Sequence, residues 1–431
     1  MKKIVTDIDN NKYLSIENIK LNDIKNYIEN NVIIVYKDEI INKWLGMGSA
    51  ITEASGYNYS KLSDEKKSGL INDLYSNDGL NFNLGRLPIG SCDFSLSSYQ
   101  YTNKKDLSNF SVEKDKEYII PMLNDIYKNK KLTLISSPWS PPNFMKNTKI
   151  RLLGGKLNNK YYELYAKYLK LYIDAYKGEG FDINYITMQN EPMACMLWES
   201  CKFSLEEQYN FINNYLINEI KDTNTNIILW DHNRENIYNN LKTLYIDNEK
   251  VKGIGLHWYS GRFYNNIRLI HKNYPNLLIF NTEMCCSYSN YNNKEWLSDA
   301  ETYLKDIISC MNSGVNAYLD WNVLLNSKGG PSHIKNPVKS PIILNEEEND
   351  YIKTPIYYYL MHISKYIKEG YEIIESDKHD EDLYVVAAKN ENELVITIMN
   401  VKNEEVEVNL LIDDKYINDK VSAHSIITYV K

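Results

Sequence analysis

Cysteine and long apolar runs are both scarce in this sequence. The 431 residues include six cysteines, with Cys285 and Cys286 adjacent and no CxxC spacing of the kind found in zinc sites. So few cysteines in so long a chain do not form a disulfide framework, and we expect reduced thiols. No stretch approaches the roughly 18 uncharged apolar residues that a membrane span needs, so we expect none.

The first residues, MKKIVTDIDNN, lack the features of a secretory signal. Two lysines are followed by acidic and amide residues instead of an apolar run of about 7–15 residues. The expected location is therefore cytoplasmic.

Basic clusters and phosphate-binding loops are absent as well. The net charge of −8 is spread along the chain, and no Lys/Arg stripe is interleaved with aromatic residues, which disfavours nucleic acid as a partner. The segment LLGGKL (152–157) lacks the GxxxxGK[ST] pattern, and no GxGxxG occurs. We expect no cofactor, and no obligatory protein partner is evident.

Short apolar runs alternate with amphipathic segments through the central part of the chain. Apolar and tyrosine side chains recur on one helical face of 161–177, and Ser204 with Glu207 forms a capping-box signature at the start of 204–220. Strands that alternate with helices imply βαβ units, and eight such units imply a closed (β/α)8 TIM barrel. The eight predicted strands are 46–53, 81–90, 132–140, 183–192, 226–233, 253–260, 277–285 and 316–326.

Both chain ends have a different pattern. Residues 361–431 contain short runs with strand-like alternation, which predict an antiparallel β-sandwich. Residues 1–44 are also strand-like, and we expect them to complete the same sandwich. No Pro- or Gly-rich linker separates these ends from the barrel predicted at 45–360. The predicted fold is α/β, a TIM barrel with an associated β-sandwich domain formed from both termini.

Polar and aromatic side chains close most of the predicted strands. In a TIM barrel the carboxyl ends of the strands form the active-site face, so these side chains are expected to meet there. They are Arg86 and Asp93, Trp139, Asn190 and Glu191, Asp231 and His232, His257 to Tyr259, Glu283, and Asp320 to Asn322. Each alone has an ordinary structural explanation, such as a helix N-cap or rim packing, but no packing purpose explains them all.

Sugar chemistry suits this set. Aromatic rings cover the C–H faces of a sugar, polar side chains bind its hydroxyls, and two carboxylates supply the acid and nucleophile of glycoside cleavage. Metal-dependent hydrolysis is disfavoured because the seven histidines are scattered and no His-x-His closes the first strand. A cysteine nucleophile at Cys285 or Cys286 with His257 lacks an orienting third group. A carbohydrate-binding barrel without turnover stays open as a non-enzyme alternative.

The motifs resemble those of a known family. The segments GMGSAITEA, LGRLPIGSCDFS, SSPWSPP, QNEP, GLHWY, NTEMC and DWNVLLNSKGGP, in this order, resemble glycoside hydrolase family 30 in its glucosylceramidase-like branch. The resemblance extends from about residue 44 to the C-terminal strands. It implies a TIM barrel beside a β-sandwich and a retaining β-glycosidase without a metal.

The resemblance also assigns roles. It implies Glu191 as the general acid/base and Glu283 as the nucleophile, with Asn190 at the sugar 2-hydroxyl. Asp93, Trp139 and Trp321 would hold the distal hydroxyls, and Asn336 would lie near the 6-hydroxymethyl group. Arg86, His257 and Tyr259 would orient and tune the glutamates, and Cys285 would line the pocket. Glu191 is expected to begin with a raised pKa, as an acid catalyst requires.

The expected activity is hydrolysis of terminal β-glucosyl residues from glucosylceramide-type or other β-glucosides, with a carbohydrate or glycolipid as substrate. The chain departs from the lysosomal members where Ser332 and His333 replace Asn-Trp after GGP. Because the resembled family also includes enzymes for other sugars, a β-xylosidase, a β-fucosidase, a β-1,6-glucanase and a transglycosylase stay open as alternatives on the same scaffold.

Overall fold

The computed structural model describes residues 1–24, 29–244 and 246–431. The chain begins with four strands that precede the barrel. They are β1 (Lys2–Asp7), β2 (Lys12–Asn18), β3 (Asn22–Asp23) and β4 (Val32–Lys43).

Eight parallel strands then close into a barrel. Each of the eight predicted segments matches one of them, with β10 beginning two residues before its segment, and the barrel closes where the first strand pairs with the last. The strands are β5 (Gly46–Ala50), β6 (Leu84–Ile89), β7 (Thr133–Pro138), β8 (Ile183–Thr187), β9 (Asn226–Asn233), β10 (Val251–His257), β11 (Leu278–Glu283) and β12 (Ala317–Asp320). Their carboxyl ends share one face, as the sequence predicted.

Helices cover the outside of this barrel. They are α1 (Glu53–Ser60), α2 (Asp64–Tyr75), α3 (Ile119–Tyr127), α4 (Tyr162–Gly178), α5 (Leu205–Phe211), α6 (Ile217–Ile220), α7 (Ile237–Lys242), α8 (Tyr264–Asn273) and α9 (Asn293–Met311). Among the described residues, no helix combines the length and apolarity that crossing a membrane requires.

Two helical predictions have different outcomes. Helix α4 occupies the predicted segment and buries its tyrosine face, including Tyr165, Tyr168 and Tyr172. The second predicted helix is not continuous, because a π-helical turn at 212–216 separates α5 from α6. The capping box at its start is present, since the Ser204 side chain accepts from the Glu207 backbone N–H and Glu207 accepts from that of Ser204.

A small sheet and a helix follow the barrel strands. The sheet contains β13 (Leu324–Asn326), β14 (Ile342–Asn345) and β15 (Asp350–Lys353), and the helix is α10 (Pro355–Ser364). The sequence interpretation merged β13 into the eighth barrel strand and did not foresee β14 or β15. Only three or four residues long, these strands are too short to show a clear period.

The two chain ends form one curled sheet of ten strands. Its C-terminal members are β16 (Glu372–Lys378), β17 (Leu383–Lys389), β18 (Leu394–Asn400), β19 (Val406–Ile412), β20 (Lys415–Val421) and β21 (Ser425–Val430). All neighbours are antiparallel except β4 and β19, and the sheet encloses its own apolar core. The sandwich predicted from both termini is confirmed, and β20 is a polar strand within it.

His362 joins the barrel side to this sheet. It lies on α10, fully buried, with Nδ1 2.8 Å from Thr428 Oγ1 and Nε2 2.9 Å from Thr6 Oγ1. Burial lowers the pKa of His362 to about 3. The imidazole is therefore neutral in the folded protein at pH values where it is protonated in the unfolded chain.

We expect this neutral histidine to make the fold acid-sensitive. Below pH ~6.5 His362 is protonated in the unfolded state but stays neutral in the folded state. The free energy of unfolding therefore falls by about 1.4 kcal/mol per pH unit until the folded pKa is reached. The variant His362→Gln retains hydrogen-bonding groups but cannot ionise. Its deficit in unfolding free energy should be largest near neutral pH and shrink as the pH falls through ~6 to ~4. A pH-independent difference in urea titrations would contradict this account.

Candidate active site

A pocket of about 350 Å³ opens at the carboxyl ends of the barrel strands. All the predicted site residues except Arg86 and His257 line it, and those two lie directly beneath its glutamates. Its lining is Asp93, Trp139, Asn190, Glu191, Ala194, Met196, Trp198, His232, Asn233, Tyr259, Glu283, Cys285, Ser287, Trp321 and Asn336 to Val338. The structure thus brings together residues that the sequence spreads over more than half the chain.

Arg86 is the buried centre of this face. The guanidinium lies on β6, is inaccessible to solvent, and donates through Nη1 to Glu283 Oε2 at 2.5 Å. Nη2 donates to Asn190 Oδ1 at 2.7 Å and to Asp231 Oδ2 at 3.0 Å. A buried charge is tolerated only when it is paired and hydrogen-bonded, and here two carboxylates provide the counter-charge.

Asp231 is the second fixed charge, and the sequence interpretation noted it at a strand end without assigning it a role. Its Oδ2 accepts from Ser137 and Thr187 at 2.9 and 2.7 Å, and its Oδ1 accepts from Thr282 at 2.6 Å. Burial acts to raise the pKa of Asp231, but Arg86, His257 and Thr282 outweigh it, so the pKa lies far below the usual range. Asp231 is therefore a permanent anion.

His257 lies between this anion and the two glutamates. Its Nε2 is 3.2 Å from Asp231 Oδ1, and its Nδ1 is 3.2 Å from Glu191 Oε1 and 3.9 Å from Glu283 Oε1. Burial acts to lower its pKa, but the charge of Glu283 and the hydrogen bonds to Asp231 and Glu191 raise it to about 9. At neutral pH His257 is an imidazolium whose two N–H groups face carboxylates.

Glu283 is the last residue of β11, and both of its carboxylate oxygens accept hydrogen bonds. Arg86 donates to Oε2, and the Tyr259 hydroxyl donates to Oε1 at 3.0 Å. The same hydroxyl lies 3.3 Å from Cys285 Sγ. Burial raises the pKa of Cys285 well above its usual value, so this thiol does not supply the thiolate that a cysteine nucleophile needs.

Glu191 follows β8 and points at His257. Burial acts to raise its pKa, but the hydrogen bond and charge of His257 outweigh burial, and the net pKa is lowered. The expectation that Glu191 begins with a raised pKa is therefore wrong for the free site. The proton between these two side chains is held on the imidazole of His257, whose pKa is raised.

The backbone is strained where these side chains are presented. Glu191, Trp230 and Asp231 have φ values of 46°, 73° and 56°, in the left-handed region that non-glycine residues rarely adopt. The Glu191 N–H donates to the Asp231 carbonyl at 2.9 Å, which ties the two strained segments together. Such strain persists only where surrounding contacts enforce it, and it clusters at functional sites.

Two tryptophans form an apolar side of the pocket. Trp139 and Trp321 are stacked with ring centroids 5.1 Å apart, and each is no more than 2% exposed. The Arg86 guanidinium carbon lies 4.9 Å from the Trp139 ring centroid. The rings thus cover the buried cation as well as facing the pocket.

Asp93 and Asn336 lie together on the pocket wall. The Asn336 amide donates to Asp93 Oδ2 at 3.3 Å. Burial, followed by the charge of Glu283, raises the pKa of Asp93 to about 8. Asp93 is therefore largely protonated at neutral pH and can donate as well as accept a hydrogen bond.

Three site residues have the geometry of a possible metal site. One ligand atom from each of Glu191, His257 and Glu283 lies within 4.8 Å of the others. The raised pKa of His257 opposes metal binding, because a histidine ligand must be deprotonated. The donor set fits proton exchange better than coordination.

Sequence reasoning missed Trp198 and Asn233, which line the pocket, and it noted His232 at a strand end without assigning it a role. His232 and Asn233 are the last residues of β9, so their position at a strand end was a usable signal. Trp198 lies in the long segment after β8, and nothing in its neighbours marks it.

Known proteins share this architecture and these motifs. Residues 44–367 match the glycosyl hydrolase family 30 TIM-barrel domain. Putative glucosylceramidase 3 of Caenorhabditis elegans is 31% identical over 80% of this chain and 71% of its own length. Lysosomal acid glucosylceramidase of Mus musculus is 28% identical over 89% of this chain and 80% of its own length. The crystal structure of SrfJ from Salmonella typhimurium superposes with a TM-score of 0.95 at 26% identity, covering 100% of this chain and 99% of SrfJ.

We expect Asp231→Asn to lower the pKa of His257 by about one or more, because the variant removes an anion that favours the imidazolium. It should also cost about 3–5 kcal/mol of stability, since Arg86 loses a buried counter-charge. The matched control is Asp306→Asn, which breaks another buried pair, with Arg234 Nη1 2.7 Å from Asp306 Oδ1. The control should cost similar stability and leave the NMR titration of His257 unchanged. A His257 pKa that stays near 9 in Asp231→Asn would contradict the assignment.

Proposed function

The chain belongs to glycosyl hydrolase family 30 and is a glycoside hydrolase, and we propose that it is a retaining enzyme that removes terminal β-glucosyl residues from carbohydrates or glycolipids. The motifs and the names of its relatives favour glucose, and the pocket geometry favours retention.

The separation of the two glutamates carries the proposal. One carboxylate oxygen of Glu191 lies within 4.8 Å of one of Glu283. Retaining glycosidases hold their carboxyl groups about 5–5.5 Å apart, whereas inverting enzymes need roughly 6.5–9.5 Å to admit a water molecule. The short separation supports double displacement.

Glu283 is the nucleophile in this mechanism, and Arg86 and Tyr259 fix its orientation. Glu283 attacks the anomeric carbon, the glycosidic bond breaks, and Glu191 gives a proton to the departing oxygen. The resulting glycosyl ester is then attacked by water, whose proton passes to Glu191. Glu283 leaves as a carboxylate, and the sugar is released with its configuration retained.

His257 supplies the proton that Glu191 passes on. Its Nδ1 is 3.2 Å from Glu191 Oε1, so the proton can move between them while Nε2 stays bound to Asp231. Ester formation removes the charge of Glu283, which is the largest influence that raises the pKa of His257. The pKa of the imidazole is then lower, which favours the form that has given up its proton. His257 regains a proton when the Glu283 carboxylate is restored.

The rest of the pocket suits a single terminal sugar. Its volume of about 350 Å³ is near the lower end of the roughly 300–1,000 Å³ typical of ligand pockets. Asp93 and Asn336 offer polar partners for distal hydroxyls beside the faces of Trp139 and Trp321. Asn190, fixed by Arg86 at 2.7 Å, is placed for the 2-hydroxyl near the nucleophile.

The substrate is tested with nitrophenyl β-glucoside, β-xyloside, β-galactoside and β-fucoside. We expect the β-glucoside to be hydrolysed fastest, with the β-anomer of glucose appearing first by NMR. Glu283→Gln should reduce kcat by at least roughly a thousandfold, because it removes the attacking carboxylate. Faster release from another glycoside would overturn glucose as the substrate, and initial release of the α-anomer would overturn retention.

Azide rescue tests the two roles separately. Glu283→Ala should regain turnover with azide and form an α-glycosyl azide, because azide enters the cavity left by the nucleophile. Glu191→Ala should lose about 10²–10⁴-fold in activity and, with an activated aryl glycoside, yield a β-glycosyl azide. Asp93→Ala is the control, a carboxyl on the same pocket wall whose loss azide should not repair. Exchange of the two products would reverse the role assignment.

A further inference from the structure

The loop between β13 and β14 carries part of the pocket wall. Asn336, Pro337 and Val338 line the pocket, and Asn336 donates to Asp93. The loop is tied to the segment after β6, because Ser332 Oγ donates to the Asp93 carbonyl at 2.7 Å and the His333 N–H donates to the Ser95 carbonyl at 3.0 Å. The position of Asn336 therefore depends on how firmly this loop is held.

The His333 ring fastens the same loop to two other segments. Its Nδ1 is 3.2 Å from the Ser95 carbonyl, and its Nε2 is 3.4 Å from Glu199 Oε2. Nε2 and Oε2 are both buried, and neither has a hydrogen-bond partner among the described residues, so their contact at 3.4 Å is an ion pair rather than an aligned hydrogen bond. Each of these atoms thus faces only the other.

Glu199 is held as a carboxylate. Its Oε1 accepts from Ser91 Oγ and Ser98 Oγ, each at 2.6 Å, and lies 3.7 Å from Arg151 Nη1. Burial acts to raise the pKa of Glu199, but His333, Arg151 and the two serines outweigh it and lower the pKa to about 2. The side chain facing His333 is therefore an acceptor without a proton.

The two acceptors that face the His333 ring determine its protonation state. A carbonyl oxygen cannot donate, so Nδ1 must carry a proton to bind Ser95. A carboxylate cannot donate either, so Nε2 must also carry one to bind Glu199. A neutral imidazole has one N–H and would place a lone pair against one of these acceptors. Only the imidazolium satisfies both.

We propose that protonated His333 is a positioning residue that bridges Ser95 and Glu199, holds Asn336 against Asp93, and thereby sets the affinity of the pocket for its sugar. The part concerning affinity rests on the proposed function, whereas the charged bridge itself does not. The bridge pairs two residues 134 positions apart, and neither belongs to the motifs that carry the family resemblance.

The charges around His333 fix the pH range of the bridge. Burial acts to lower the pKa of His333, but the hydrogen bond and charge of Glu199, the Ser95 carbonyl and the charge of Asp93 raise it above 6.5. Other ionisable groups near these segments include Arg151 beside Glu199, Cys92 with a pKa raised well above 9.0, and exposed Lys335 on the loop itself. Glu53 Oε2 accepts from the Leu96 N–H at 2.9 Å, and burial lowers the pKa of Lys146, which interacts with the charge of Glu199, to about 8. The bridge is present below the raised pKa of His333 and is lost as the pH rises through it.

Loss of the bridge should act on binding more than on chemistry. His333 has no contact with Glu191, Glu283, Arg86 or His257 among the described hydrogen bonds and ion pairs. We expect His333→Gln to raise KM for the aryl β-glucoside roughly tenfold at pH ~6, as for loss of a charged hydrogen bond, with kcat changed less than about twofold. As the pH rises, wild-type KM should approach that of the variant.

A matched control uses another histidine paired with a glutamate. His424 Nδ1 lies 2.8 Å from Glu301 Oε1, where the ten-stranded sheet meets α9, and neither residue lines the pocket. His424→Gln should leave KM unchanged at every pH. Thermal unfolding of both variants checks that they are folded.

A second readout does not depend on turnover. NMR titration should give His333 a pKa above 6.5 in the wild type, and Glu199→Gln should lower it. Calorimetry with a glucose-configured iminosugar should show the same roughly tenfold loss of affinity in His333→Gln. Failure of all glycosides to react would reject the proposed function and leave these tests in force. A wild-type His333 pKa at or below 6.5, or unchanged KM and iminosugar affinity in His333→Gln, would overturn the bridge.

Discussion

The pocket depends on one buried cation. Arg86 is inaccessible to solvent, and its charge is balanced by Asp231 and Glu283, which come from two other barrel strands. The guanidinium is a rigid planar donor, so it fixes the directions of its partners as well as their charges. Because all three residues lie on barrel strands rather than on loops, Glu283 is positioned by the scaffold of the fold.

Environment divides the carboxyl groups of the site into distinct roles. Burial favours the neutral form of each, and only those next to a cation or several donors resist it. Asp231 is held as an anion by Arg86, whereas Asp93, without such a cation, has a pKa raised to about 8. Glu191 lies between these extremes, because His257 lowers its pKa against the effect of burial. Groups whose surroundings push their pKa values apart are those that can act as acid and base at one pH.

The barrel and most of the pocket could be predicted from the sequence. The spacing of apolar runs is sufficient for the barrel, and the position of polar residues at the strand ends is sufficient for most of the pocket. Eight apolar runs with polar endings locate the strands, and the carboxyl ends of parallel strands must meet. The features that could not be predicted depend on contacts between distant residues, which no local sequence pattern encodes. The low pKa of Asp231 comes from side chains on five other barrel strands, and the lowered pKa of Glu191 comes from His257. The pairing of His333 with Glu199 links loops with no shared motif, and β20 alternates too weakly to stand out.

The ten-stranded sheet joins the beginning of the chain to its end. Strand β1 pairs with β21, and β4 pairs with β16 and β19. As the chain leaves the ribosome, β1 can therefore pair only with β2, and β4 has no sheet partner, until β16 and the strands after it have been synthesised. Their apolar faces and open edges stay exposed for that time, which favours misassociation. Contacts of such long sequence separation also slow folding. A nascent chain of this enzyme consequently completes the ten-stranded sheet only after β21 has been synthesised.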